Sequence, residues 1–123
     1  MDRFKIAQDF AHSIDLSEVE LIILYGSVAR REDTNDSDID ILIVSSNKDK
    51  IQDKVYSKVV DFLLDFGADI SAKILSSSDY NRVKETHFIA TVEKEGIVIG
   101  WEKTTFKWKF GKTYPQILFY NES

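Results

Sequence analysis

The sequence predicts one small domain of alternating α and β structure, an α/β (α+β) chain with a mixed, mostly buried central sheet flanked by helices. Three observations carry this. The chain has 123 residues, a one-domain length. Short continuous apolar runs alternate along it with segments of helical spacing. Its hydrophobic content, 43%, suffices for a core with both sheet faces covered.

Residues 2–13 carry Phe4, Ile6, Ala7, Phe10 and Ala11 at helical spacing and predict a short amphipathic helix. VELIILY at 19–25 is a buried strand, and 26–30 can turn into a short helix. REDTNDS at 31–37 is a loop, and IDILIV at 39–44 is a second buried strand. Residues 48–66 place Ile51, Val55, Val59, Phe62, Leu63 and Phe66 on one face of a long helix, stopped by Gly67. DISAKIL at 69–75 reads as a third strand, with Ser76 to Ser78 capping a helix that runs to about Glu85. Residues 88–95 form a last helix ending at Gly96, and 97–99 a short strand.

The boundary falls near residue 100. Residues 101–123 hold seven of the fifteen aromatic residues and a charge of +2, against −7 for residues 1–100. They read as a C-terminal extension: a docked arm, an added edge strand, or a stacking and partner-binding segment. No repeat or low-complexity stretch occurs.

Composition excludes several classes. Without cysteine there is neither a disulfide nor a thiolate metal site. MDRFKIAQDF is charged and lacks a signal peptide's apolar core, and no apolar run is long enough to span a bilayer, so a cytoplasmic location is expected. A net charge of −5 argues against general binding to nucleic-acid phosphates, although the aromatic, Lys-rich tail keeps a single-strand-binding reading open.

The chemistry concentrates in LYGSVARREDTNDSDIDILIV, residues 24–44. Asp38 and Asp40 lie at i and i+2, so on a strand they share a face. Adjacent carboxylates repel unless a proton or cation joins them. Oxygen donors without Cys or His suit Mg²⁺ or Mn²⁺, which commonly share their ligands with substrate phosphates. Gly26 and Ser27 end a strand, where glycine permits close approach to a ligand, and free N–H groups and a hydroxyl attract anions. His12 and His87 form no constellation with these residues.

Gly26-Ser27, ten intervening residues, then Asp38-Ile39-Asp40 resembles the signature of the polymerase-β-like nucleotidyltransferases. GSVAR and SDIDILI are similar to that family's wording, and the resemblance spans about residues 1–100. The short length resembles the minimal members found in HEPN/MNT toxin–antitoxin pairs. The resemblance implies transfer of a nucleoside monophosphate, AMP from ATP in the first instance, to an acceptor hydroxyl. It implies Mg²⁺ ions held by Asp38 and Asp40, and phosphates held by Gly26, Ser27 and Arg30, with Arg30 pairing an acidic neighbour as the alternative. It also implies a HEPN-type protein partner, whose tyrosine some relatives modify.

Active members place a third acid on the next strand, facing the pair. Asp69 is the only acid in the third strand here, so the resemblance makes it the third catalytic and metal-binding carboxylate beside Asp38 and Asp40; Ser71 and Lys73 share its face. If the family position falls on Ser71 or Lys73, the carboxylate triad is incomplete. The chain is then a non-catalytic nucleotide- or partner-binding module of the same fold.

Overall fold

The computed structural model describes residues 1–83, 85–101 and 118–119. The order is α1 (Arg3–Ser13), β1 (Val19–Tyr25), α2 (Gly26–Ala29), β2 (Ile39–Ser45), α3 (Lys48–Phe66), β3 (Ile70–Ser76), α4 (Ser77–Val83), α5 (His87–Glu95), β4 (Ile97–Trp101) and β5 (Leu118–Phe119). A single 3₁₀ turn, Leu16–Glu18, leads into β1.

The strands form one mixed sheet in the order β3-β2-β1-β4-β5. β1 is antiparallel to both β2 and β4, whereas β2–β3 and β4–β5 are parallel. The long helix α3 supplies the crossover that a parallel β2–β3 pair requires. α1 and α3 cover one face, where Phe4, Phe10, Ile51, Val55 and Phe62 pack on Ile22, Leu24, Ile41 and Ile43. α4 and α5 cover the other, where Tyr80, Ile89 and Val92 pack on Leu21, Ile23, Leu42 and Val44. Burial on both faces explains why β1 and β2 read as continuous apolar runs. Each large side chain so buried contributes roughly 1.5–3 kcal/mol.

Asp2 caps α1 by accepting from the Lys5 N–H, and Thr86 caps α5 by accepting from the Ile89 N–H. Gly67 ends α3 at φ 66°, donating its N–H to the Leu63 carbonyl. Two residues of α3 depart from the face the spacing assigns them. Leu63 is 47% exposed and Phe66 52%. Leu63 lies a hundred degrees around the helix from the buried Phe62. Phe66 in the last turn sets its ring 5.4 Å from that of Phe62 and leaves its outer edge open.

No helix among the described residues is long and apolar enough to cross a membrane. Leu118–Phe119 lie beside β4 as an edge strand. Otherwise the aromatic, Lys-rich extension lies outside the described residues.

Candidate functional site

The carboxylate pair stands where β1 ends and β2 begins. Tyr25, the last residue of β1, pairs with Asp40, the second of β2. The chain then turns at Gly26 with φ 76°. Here glycine is required twice over. The backbone is left-handed, and a Cβ on Gly26 would lie 2.3 Å from the Oδ2 atom of Asp40. The Asp40 carboxylate therefore rests against the start of α2, in the space a side chain at position 26 would fill.

Asp38 ends the loop before β2 and is exposed, whereas Asp40 is half-buried. The loop is tied down from α1. Arg3 donates from Nε to the Ser37 carbonyl at 3.1 Å and from Nη2 to the Asn35 carbonyl at 2.6 Å, and its Nη1 lies 3.7 Å from Asp33. Within the loop, Ser37 Oγ accepts from the Thr34 N–H at 2.8 Å.

A third acid enters from α5. Glu95 Oε1 accepts from the Gly26 N–H at 3.0 Å, and Glu95 Oε2 accepts from Arg30 Nη1 at 2.8 Å. Arg30 also donates from Nε to Glu32 at 3.2 Å. Arg30 is thus paired with acids here, the alternative that the sequence left open. Glu95 reaches the site because Gly96 lets the end of α5 close on β1. A Cβ on Gly96 would meet Ile23 Cγ2 at 2.7 Å. Neither Glu95 nor Arg3 is visible as a site residue in the sequence. Each meets its partner across a separation that no local pattern encodes, 69 residues for Glu95 with Gly26 and 34 for Arg3 with Ser37.

Asp69 precedes β3 and is exposed, and its carbonyl accepts from the Ile39 N–H at 2.9 Å. The parallel register puts Ser71 level with Asp40. Among the described residues no three His, Cys, Asp or Glu side chains gather as a metal cage. The structure brings Asp38, Asp40, Gly26, Ser27 and Arg30 to one place, and Asp69 stands beside Asp38 at the start of the neighbouring strand. The register that pairs Ile39 with Ile70 sets Ser71 level with Asp40 and Asp69 level with Asp38. His12 and His87 are exposed. Arg31, at φ 60°, lays its guanidinium 3.8 Å from the centre of the Phe4 ring.

Burial, and then the neighbouring charge of Asp38, raises the pKa of Asp40 above the ordinary carboxyl value. Burial also pushes the Tyr25 hydroxyl up to about 12, with Asp40 adding to the effect. A divalent cation in place of the proton relieves the same strain. The pair therefore fits a hard cation that completes its shell with substrate oxygens.

The folded chain holds the Asp40 proton more tightly than the unfolded chain does. Stability contributed by this group consequently falls as pH rises from the ordinary value of 3.8 to the raised one. Asp40→Asn is expected to melt above the wild type at neutral pH, and to lose that advantage in acid below 3.8. Thermal denaturation across pH checks this, and an advantage that persists unchanged in acid contradicts it.

A family model described as polymerase beta, nucleotidyltransferase, matches residues 5–104. The chain belongs to this family. The fold of this nucleotidyltransferase recurs in solved structures. A toxin–antitoxin crystal structure with AMP-PNP is 18% identical, with 92% of this chain and 84% of that one covered and a TM-score of 0.53. A mutant of the MntA-HpeT toxin–antitoxin is 17% identical, with 92% and 84% covered and a TM-score of 0.59. A Sulfolobus solfataricus protein assigned as a nucleotidyltransferase is 21% identical, with 83% and 86% covered and a TM-score of 0.52. A search of curated protein sequences found no match.

Proposed function

We propose that this nucleotidyltransferase moves AMP from ATP to a hydroxyl of a cytoplasmic protein partner, with Mg²⁺ held by Asp38 and Asp40. The observation that carries the reading is the half-buried Asp40 carboxylate, seated against Gly26 with the charge of Asp38 beside it. A bound divalent cation would neutralise phosphate oxygens and favour loss of the acceptor proton.

The chain's own groups do the positioning. Asp38 and Asp40 offer oxygens from one strand end, with Asp38 fixed through the loop that Arg3 holds. The Ser27 hydroxyl and the backbone at Gly26 take the β and γ phosphates. Arg30, already aimed at an anion in Glu95, turns to phosphate when nucleotide is present. The acceptor oxygen bonds to the α phosphorus, the bond to the β phosphate breaks, and pyrophosphate leaves.

Two findings support a protein acceptor. Solved structures of the same fold are toxin–antitoxin assemblies. On α3, Tyr56, Val60, Leu63 and Leu64 stand exposed at helical spacing, an apolar stripe of the kind a partner helix buries. We take the partner to be a HEPN-type toxin. Label from α-labelled ATP should pass to such a partner and depend on Mg²⁺.

A second reading has its own observation. With Ser71 level with Asp40 and, among the described residues, no three acids gathered as a metal cage, the chain can bind nucleotide or partner and transfer nothing. Tight partner binding without label transfer by the wild type would select it. Ser27→Ala tests the phosphate assignment under both readings. It should weaken ATP by roughly 1.5–3 kcal/mol and leave AMP nearly unchanged in calorimetry. Equal loss for the two nucleotides contradicts it.

A further inference from the structure

A carboxylate at the end of a helix is badly placed for the helix itself. The C-terminal turn carries partial negative charge, which favours cations and opposes acids. Glu95 nevertheless ends α5, and its side chain is only 17% exposed. A charge withdrawn this far from water needs specific partners. Glu95 has two. Oε1 accepts from the Gly26 N–H at 3.0 Å, and Oε2 accepts from Arg30 Nη1 at 2.8 Å. These are two of the groups assigned above to the phosphates of the nucleotide. One carboxylate thus spans a backbone donor and a guanidinium, the pair of donors that also suits phosphate oxygens.

Gly26 lies between two acids. Asp40 fills the space of the absent Cβ, and Glu95 takes the N–H. Glu95 does not join Asp38 and Asp40 as a cage for a cation, since among the described residues no three such side chains gather in that way. Its oxygens are turned to donors instead. The end of α5 is fixed: the Gly96 N–H donates to the Val92 carbonyl at 2.7 Å, and a Cβ at position 96 would meet Ile23 Cγ2 at 2.7 Å. Glu95 can therefore leave its partners only by rotation of its side chain. Arg30 keeps Glu32, 3.2 Å from its Nε, as a second partner while the exchange takes place.

We propose that Glu95 is an internal stand-in for the terminal phosphates, holding Gly26 and Arg30 in the empty protein and displaced from them when MgATP binds. Affinity for a triphosphate is then set by competition with a carboxylate of the chain's own. A triphosphate brings more charge than Glu95 and wins; AMP, without β and γ phosphates, leaves Glu95 in place. The proposal rests on the reading that Gly26, Ser27 and Arg30 take the phosphates.

The test is calorimetry of the full chain with MgAMP-PNP. Glu95→Gln is expected to bind it about tenfold more tightly than the wild type, with affinity for AMP little changed. With Arg30→Gln already in place, the gain from Glu95→Gln should largely vanish, because the ion pair that competes is gone. Equal or weaker binding of MgAMP-PNP by Glu95→Gln overturns the proposal and leaves Glu95 as a brace for the turn at Gly26. A gain that persists in full without Arg30 also overturns it, as a general effect of removing a negative charge. If Glu95→Gln does not fold, Glu95→Asp takes its place, since the shorter side chain cannot span both donors and should likewise tighten binding. A wild type that binds MgAMP-PNP beside variants that gain nothing sinks this proposal alone. Failure of the wild type and all variants to bind sinks the phosphate reading with it.

Discussion

Gly26→Ala is expected to destroy the nucleotide site and to lower stability at the same time. A non-glycine residue held in left-handed backbone costs roughly 1–2 kcal/mol. The new methyl would also stand 2.3 Å from Asp40 Oδ2, well inside contact distance. Asp40 cannot retreat along its strand, because its backbone is paired on both sides, with Tyr25 and with Ser71. Its side chain must swing out of the site instead. A melting temperature lower by roughly 5–10 °C is expected. The stabilisation that MgATP gives the wild type should be absent. A Gly26→Ala variant that still gains the full MgATP shift would show that nucleotide binding does not use the Asp40 carboxylate where the structure puts it.

Asp38→Asn combined with Asp40→Asn should have the opposite effect on the empty protein and the same effect on binding. The double variant removes two repelling carboxylates, one of them half-buried, so its fold should persist with equal or higher melting temperature. Neutral amides are poor ligands for a hard cation that shares phosphate oxygens. Ligand at a hundred times its dissociation constant stabilises a protein by about 2.7 kcal/mol, and this increment should vanish. Thermal melts with and without MgATP measure it. A wild-type shift in the double variant places the metal site elsewhere.

The part of the site legible in the sequence is the part encoded by neighbours. Gly26, Ser27, Asp38 and Asp40 lie on one strand-turn-strand unit, where spacing alone brings them together. The order of strands and helices follows from local periodicity in the same way. What escaped reading is set by pairing between distant segments. The sequence starts the third strand at Asp69, and the structure starts it at Ile70. The partner of Asp40 across β3 depends on the parallel register with β2, which no stretch of β3 encodes by itself. Glu95 sits in an unremarkable helix end and becomes a site residue only because Gly96 packs against Ile23. On α3, a helical stripe specifies which residues are apolar, but the sheet beneath decides how wide a stripe is covered. Hence Ile51, Val55 and Phe62 are buried and Leu63 and Phe66 are not.

The grip of Arg3 on the loop before Asp38 has a thermodynamic consequence. Its two hydrogen bonds to carbonyls and its contact with Asp33 order residues 33–37 as part of folding itself. Ordering a loop or a long side chain at the moment of binding costs roughly 0.5–1.5 kcal/mol for each side chain immobilised. In this chain that entropy is surrendered before any ligand arrives. The strand end that presents Asp38 is preorganised, and correspondingly more of the interaction energy with a cation or nucleotide is retained as affinity.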